Sequence, residues 1–209
     1  MKRKLARNIA PLLAAASLSM LALPAAASDW FVRVGPVHVN PDSNNGTLAG
    51  GALATRIDSN TQLGLILGRH LTPNLAVELL AATPFSHTVS LNGVDAVDFK
   101  HLPPTVSLQW YFLPNAKVNP FVGLGLNYTF VYDEEVIASG PLAGAKAGID
   151  NSFGLAAQAG LEIQLNDRWD LVLDARFIDL DADVKVNGAK VGTANVDPMV
   201  FGLTLGYRF

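Results

Sequence analysis

From residue 201 to residue 209, apolar and non-apolar positions alternate without interruption. Apolar or aromatic side chains take every second position, at Phe201, Leu203, Leu205, Tyr207 and Phe209. Two glycines, a threonine and an arginine lie between them. A period of two places the first set on one face of a β-strand and the second set on the other. One whole face of this strand therefore needs an apolar environment.

The same alternation recurs along the chain, and the sequence predicts eight β-strands. They cover residues 30–35, 62–68, 75–81, 105–112, 122–130, 153–165, 169–177 and 200–209. The connections alternate long and short, with the long ones at residues 40–60, 84–100, 133–150 and 179–197. This layout is typical of an up-and-down antiparallel transmembrane β-barrel, with long extracellular loops and short periplasmic turns.

Seven charged residues fall on the parity opposite the apolar face: Arg33, Glu78, Glu162, Asp170, Asp174, Arg176 and Arg208. A charge that faces lipid at mid-membrane costs about 2–4 kcal/mol, so we assign this parity to the barrel lumen. The interior of an eight-stranded barrel is just wide enough for side chains to fill it. We therefore expect the four acids and three arginines to pair as a polar plug, with an ion path as the alternative.

A water-soluble, lipocalin-like barrel is the main alternative fold, and it would place the same charges on its outside. The aromatic residues favour the membrane, because they gather near both ends of the predicted strands, as they do at membrane interfaces. At the periplasmic end they are Trp30, Phe112, Trp169, Tyr207 and Phe209, and at the outer end Tyr128, Phe130, Phe153 and Phe177.

Residues 1–27 predict a cleaved signal peptide, and residues 28–209 the barrel. A head with four Lys and Arg residues precedes a short apolar run at residues 12–23 and the small residues Ala25–Ala27. Without this segment the chain has 11 Lys and Arg against 18 Asp and Glu, so it lacks the basic surface that nucleic-acid binding requires. The absence of cysteine excludes disulfides and thiol chemistry. We predict no cofactor.

The long loops carry many apolar residues for exposed segments. Four of them form a candidate apolar entrance: Leu48, Phe85, Leu91 and Phe99. Packing between extended hairpins is an equal alternative for these four. Pro103 and Pro104 cannot donate hydrogen bonds to a β-ladder, so we expect the barrel wall to be interrupted there. This interruption is a candidate lateral opening into the bilayer.

The four histidines of the chain, at positions 38, 70, 87 and 101, share no metal-ligand spacing. Some small outer-membrane barrels are lipid-modifying enzymes with a Ser–His–acid set, for which Ser86–His87 and His101 are the only nearby candidates. The sequence places no acid convincingly beside them, and we expect loop histidines to be solvated. We therefore predict that the protein is not an enzyme.

Three segments carry a resemblance to a known family: Lys100–Thr105 (KHLPPT), Asn119–Thr129 (NPFVGLGLNYT) and Gly206–Phe209 (GYRF). The chain resembles the OmpW family of small outer-membrane proteins, and the eight-strand layout covers all of residues 28–209. The resemblance implies a monomer in the bacterial outer membrane with a narrow apolar channel for small hydrophobic molecules. It also implies use as a phage or bacteriocin receptor, and a non-transporting structural or adhesion barrel is the alternative function. We expect outer-membrane lipid around the barrel and the barrel-assembly machinery at Phe209.

Overall fold

The computed structural model describes residues 29–209, and the predicted signal peptide lies outside them. The described chain forms fifteen β-strands and one short 3-10 turn, Ala49–Gly51. In chain order the strands are β1 (Trp30–Asn40), β2 (Thr47–Leu48), β3 (Leu53–Ile57), β4 (Asn60–His70), β5 (Leu75–Ala82), β6 (Phe85–Leu91), β7 (Val94–Leu102), β8 (Thr105–Tyr111), β9 (Val118–Val136), β10 (Ala147–Ile149), β11 (Ser152–Gln164), β12 (Trp169–Asp179), β13 (Asp181–Val186), β14 (Ala189–Asn195) and β15 (Met199–Arg208). Within residues 29–209, no helix is long and apolar enough to cross a membrane.

Eight of these strands close into an antiparallel barrel, in the order β1, β4, β5, β8, β9, β11, β12 and β15. The circuit is complete because β15 pairs with β1 and β9 pairs with β11. In a bilayer no water is available to the backbone, and a closed ladder satisfies the N–H and C=O groups of every strand. The predicted fold, an eight-stranded antiparallel barrel, is confirmed.

The two faces of the barrel wall differ sharply in composition. Leu63, Leu124 and Leu155 point outward and expose 55%, 74% and 60% of their surfaces. Arg33 and Glu78 point inward and expose 1% and 2%. A water-soluble barrel with an apolar interior would have the opposite arrangement, so the lipocalin-like alternative is wrong.

Exposed or half-exposed aromatic side chains form a belt at each end of the barrel, as predicted. The inner belt contains Trp30, Phe112, Trp169, Tyr207 and Phe209, and the outer belt contains Tyr128, Phe130, Phe153 and Phe177. Neighbouring rings touch edge to face, with centroids 5.0 Å apart for Trp169 and Tyr207 and 4.6 Å apart for Tyr128 and Phe130. Aromatic belts of this kind lie at the two membrane interfaces.

The long connections form an ordered structure beyond the outer belt, which we call the extracellular extension. It comprises β2, β3, β6, β7, β10, β13, β14 and the outer end of β9. The hairpins β6–β7 and β13–β14 turn at Asn92–Gly93 and Asn187–Gly188. All four turn residues have positive φ values, which this tight hairpin type requires. The extension has its own apolar core, which includes Leu48, Leu91 and Phe99.

The extension is more regular than the sequence suggested. β9 continues to Val136, because its outer end pairs with β7 beyond the predicted strand end. Between β9 and β10 a turn closes where the Ala145 N–H donates to the Leu142 carbonyl at 2.9 Å, and Ala147 begins β10. β10 pairs with β13.

Candidate functional site

The seven inward charges predicted from the sequence lie together in the lumen and form what we call the ion-pair layer. Arg33 stands at its centre. Its guanidinium lies 2.7 Å from Glu162 Oε2, 3.3 Å from Glu78 Oε2 and 3.7 Å from Asp170 Oδ1. These side chains come from β1, β5, β11 and β12. The contacts therefore cross the lumen from one wall to another.

The remaining three charges connect to the same layer. Arg176 Nη2 donates to Glu78 Oε1 at 2.9 Å, so Glu78 forms ion pairs with two arginines. Arg176 Nη2 also lies 3.7 Å from Asp174 Oδ2. Arg208 Nε donates to Asp170 Oδ2 at 3.2 Å. Arg33 and Arg176 are almost completely buried. A solute moving straight along the lumen would have to separate these buried pairs.

Three uncharged residues complete the layer, although the sequence analysis did not select them. The Tyr111 hydroxyl accepts a hydrogen bond from Arg33 Nη2 at 2.9 Å and donates to Gln109 Oε1 at 3.0 Å. Gln109 Nε2 then donates to Gln158 Oε1 at 3.2 Å, and Gln158 Nε2 donates to Asp174 Oδ2 at 3.0 Å. All three lie on the lumen-facing parity of their strands, and this parity is the sequence signal that identifies them.

Two glycines of β15 make room for the layer. Gly202 lies opposite Asp174, and Gly206 lies opposite Asp170, in the β12–β15 ladder. A Cβ atom at either glycine would overlap the facing aspartate side chain. The absence of a side chain on β15 therefore allows these carboxylates to turn into the lumen.

Outward of the ion-pair layer, the lumen opens into a cavity of about 240 Å³. The barrel contributes the outer ends of its strands, such as Val39 of β1 and Ile178 of β12. The extracellular extension contributes further apolar side chains from its own core. Among the described residues that line the cavity, none is charged at neutral pH. The cavity therefore suits an apolar solute.

Three of the four predicted entrance residues, Leu48, Leu91 and Phe99, line this cavity. Phe85 does not line it. Its side chain is 1% exposed and packs in the barrel core, where its ring lies 5.3 Å from that of His101. Phe85 is the first residue of β6, so it stands where that strand leaves the barrel, beside the cavity rather than on its wall.

His87 and His101 also line the cavity, and the expectation that the loop histidines are solvated is wrong for both. They alternate with the outward-facing Ser86 and Lys100, and this alternation turns both rings inward. The two rings stack with centroids 4.9 Å apart. Burial lowers the pKa of His87, and burial together with the neighbouring His87 lowers the pKa of His101 to about 3. Both rings are therefore neutral at neutral pH.

The structure does not assemble the Ser–His–acid set considered from the sequence. An acid is present, because Asp58 Oδ1 lies 3.4 Å from His87 Nδ1. However, the exposed Ser86 side chain and the buried His87 side chain project from opposite faces of β6. Within residues 29–209, no group of three or more His, Cys, Asp or Glu side chains could hold a metal ion.

Pro103 and Pro104 lie at a break in the barrel wall, which we call the wall gap. The β5–β8 ladder ends at the pair Leu80 and Thr105, and the β6–β7 ladder begins at the pair Phe85 and His101. Among the described strand pairings, none joins residues 81–84 to residues 102–104.

On the side away from the gap, the two prolines are hydrogen-bonded to β9. Tyr128 N–H donates to the Pro104 carbonyl at 3.0 Å, and Asn127 Nδ2 donates to the Pro103 carbonyl at 3.2 Å. Pro103 also lines the cavity. The wall gap therefore adjoins the cavity on one side of the barrel only.

Comparison with known proteins agrees with this architecture. The chain matches the OmpW family over residues 26–209. Outer membrane protein W of Vibrio cholerae is 38% identical over 192 residues, which are 87% of this chain and 88% of that protein. Outer membrane protein W of Escherichia coli is 36% identical over 97% of this chain and 98% of that protein. The crystal structure of outer membrane protein OprG from Pseudomonas aeruginosa, 33% identical, superposes with a TM-score of 0.79 over 88% of this chain and 96% of that chain. The chain therefore belongs to the OmpW family and is a β-barrel of the bacterial outer membrane.

Proposed function

We propose that this protein carries small hydrophobic molecules across the outer membrane. The solute enters the cavity from the cell exterior and leaves through the wall gap into the bilayer. One observation carries the proposal: an apolar cavity lies directly outward of a layer of buried ion pairs. Burial of apolar surface contributes about 25 cal/mol per Å², so the cavity favours a hydrocarbon over a hydrated solute.

The ion-pair layer is the reason for proposing a sideways exit. Breaking a buried pair by removing one partner costs about 3–5 kcal/mol. A hydrocarbon cannot compensate for this cost, because it forms neither ion pairs nor hydrogen bonds with the separated charges. The wall gap requires no such separation, because the strands on its two sides share no ladder pairing there. The bilayer beyond the gap is also the medium in which a hydrophobic solute dissolves.

The proposed activity is transport without chemical change. The family and the similar solved structure are outer-membrane barrels. The opposed directions of Ser86 and His87 also leave the cavity without a nucleophile and base in contact. Both observations support a passage rather than a lipid-modifying active site.

The direct test is uptake of n-octane by cells that produce the protein and by cells that lack it. Leu91→Asp places a carboxylate on the cavity wall at a residue that is 3% exposed. Val94→Asp is the matched control, because Val94 lies in the same hairpin and is 53% exposed. We expect the protein to accelerate uptake, Leu91→Asp to abolish the acceleration and Val94→Asp to preserve it.

Equal uptake with and without a folded barrel in the outer membrane would refute transport of this solute class. It would favour the structural, adhesion or receptor function that the sequence left as the alternative. Equal loss in the Leu91→Asp and Val94→Asp variants would also count against the cavity, because only Leu91 lines it.

The exit is tested separately by the double variant Pro103→Thr and Pro104→Thr, which restores two backbone N–H groups to the edge of the wall gap. We expect n-octane uptake to fall while the barrel stays folded, because these N–H groups allow the two sides of the gap to pair. Unchanged uptake would rule out exit through the gap and leave entry into the cavity intact.

A further inference from the structure

Some of the polar side chains on the wall of the apolar cavity have no hydrogen-bond partner. Five lining residues carry polar side chains: Thr55, His87, His101, Thr129 and Ser152. Thr129 donates to Asn127 Oδ1, and Ser152 donates to the Asp181 carbonyl, so both are satisfied within the protein. The other three are not. Thr55 Oγ1, His87 Nε2 and His101 Nδ1 are buried and make no hydrogen bond with any described residue.

These three side chains are each more than nine-tenths buried. A buried polar atom without a hydrogen bond costs about 1–3 kcal/mol, and such atoms are rare in folded proteins. Three of them on the wall of one cavity indicate that a molecule in the cavity supplies the missing partners. This molecule has a polar end, because the rest of the wall is apolar.

The hydrogen bond made by His87 Nδ1 determines whether the polar end of the molecule must donate or accept at Nε2. His87 Nδ1 lies 2.7 Å from the Asp58 carbonyl oxygen, which can only accept a hydrogen bond. Nδ1 therefore carries the proton of the neutral ring, and Nε2 is left with a lone pair. Nε2 accepts a hydrogen bond and cannot donate one, so the solute must bring a donor.

The surroundings select against a charged donor. Neither a cation nor a carboxylate lies among the described residues of the wall, and an ion in such a cavity would be without a counter-charge. A surface depression next to His87 and Phe99 is lined by four acids and one cation, Lys100: the acids are Asp58, Asp98, Asp133 and Glu135. They disfavour the approach of an anion such as a fatty acid carboxylate.

We propose that the cavity selects neutral alcohols with a medium-length hydrocarbon chain, whose hydroxyl hydrogen is donated to His87 Nε2. The hydrocarbon chain occupies the apolar part of the cavity, whose volume of about 240 Å³ exceeds the roughly 150 Å³ of an engineered cavity that holds benzene. This inference rests on the proposed function and names the preferred class of solute.

The test compares 1-octanol with 1-methoxyoctane, which has the same alkyl chain and ether oxygen in place of the hydroxyl but no donor. The full barrel is placed in phospholipid nanodiscs with ¹⁵N-labelled histidine, and the ring nitrogens of His87 are assigned from the spectrum of the His87→Phe variant. We expect 1-octanol to shift the resonance of the unprotonated nitrogen, and 1-methoxyoctane to leave it unchanged. A merely structural role of His87 would give no difference between the two solutes.

Binding and uptake of the same solutes in variants supply the second readout. His87→Phe keeps an aromatic ring in the stack with Phe99 and removes the acceptor. It should weaken the binding of 1-octanol about 3- to 10-fold more than the binding of n-octane, which is the size of one neutral hydrogen bond. His38→Phe is the matched control, because His38 bonds Thr61 and does not line the cavity.

Each result separates this inference from the proposed function. If n-octane is taken up but 1-octanol and 1-methoxyoctane behave alike in every variant, the alcohol preference is refuted and the transport function stands. If n-octane is not taken up, the transport function fails first. If His87→Phe does not fold, the ¹⁵N titration of the unmodified barrel with 1-octanol and 1-methoxyoctane still decides the question.

Discussion

The ion-pair layer and the cavity occupy the same barrel, yet one is filled and the other is open. β1 and β12 run from the ion-pair layer into the cavity wall, so the difference can be followed along single strands. On the lumen face of β1 the sequence passes from Arg33 to Val37 and Val39, and on β12 it passes from Arg176 to Ile178.

Side-chain length therefore sets where the lumen is blocked. Arginine and glutamate reach far enough to meet partners from the other walls, and their pairing fills the space. Valine and isoleucine end close to the backbone and leave an open volume between the walls. A change of residue type within a few positions of one strand thus divides a uniform barrel into a barrier and a binding space.

The largest expected effect is on the barrier. Glu78→Ala removes the acid that serves both Arg33 and Arg176 and leaves two buried guanidinium groups short of a partner. We expect the free energy of unfolding to fall by about 3–5 kcal/mol, measured by urea titration with tryptophan fluorescence. Lys100→Ala breaks the half-exposed pair with Asp133 in the extracellular extension and should cost less than about 1 kcal/mol. If both variants lose a similar free energy of unfolding, the ion pairs of the layer stabilise the fold no more than an exposed pair of the extracellular extension.

The open volume of the cavity is tested by filling it. Ala194 lines the cavity and is 3% exposed, so Ala194→Trp places an indole ring in the space proposed for the solute. We expect n-octane uptake to fall to the level of cells without the protein, with a loss of about 1–3 kcal/mol in the free energy of unfolding. Ala143→Trp, at an exposed position of the extension, should retain uptake. Normal uptake by Ala194→Trp would place the solute elsewhere.

A single methyl group tests the close fit of the barrier. Gly206→Ala brings a Cβ atom into the space of the Asp170 side chain and should lower the free energy of unfolding by about 1–3 kcal/mol. In the extension, a Cβ atom at Gly148 would make only an ordinary contact with Lys185 Cβ, at 3.9 Å. Gly148→Ala should therefore change the free energy of unfolding by less than about 0.5 kcal/mol. If both glycines tolerate alanine, the layer is looser than its contacts indicate.

The period-two pattern was sufficient to predict the barrel and the charged members of the ion-pair layer, but not its three uncharged members. Parity alone assigns each residue of a membrane strand to lipid or lumen, and charged residues cannot occupy the lipid face at low cost. The sequence therefore grouped Arg33, Glu78 and Arg176 correctly on the inward side. It did not identify the partners within the group, because pairing across a lumen depends on the stagger of strands far apart in the chain.

The polar part of the cavity wall was less predictable, because the histidines of the long loops were expected to be solvated. Parity continues beyond the outer aromatic belt, and it turns His87, Phe99 and His101 toward the interior in the same way as it turns Arg33. Extending the alternation through residues 84–101 would have placed the two histidines inside. The wall gap follows from Pro103 and Pro104, whereas the misplacement of Phe85 follows from the unpredicted point at which β6 leaves the barrel.

The smallest expected effect distinguishes the two regions by pH. The folded pKa of His101 is about 3, below the ordinary value of about 6.5 that applies in the unfolded chain. Between these values the unfolded chain binds more protons, so the contribution of His101 to stability is fully present above pH 6.5 and declines as the pH falls toward 3. The β6–β7 hairpin should therefore lose hydrogen-exchange protection in this range.

The variant His101→Phe separates this effect from the titration of the acids. It keeps a ring between Phe85 and Phe99 but removes the group that protonates on unfolding. Protection of the β6–β7 amides should then fall less steeply between pH 6.5 and 3 than in the unmodified protein, whereas the β1–β4 ladder beside Arg33 should respond identically in both. An unchanged slope in the hairpin would mean that His101 is solvated in the membrane-bound protein and that the inner wall of the cavity is open to water.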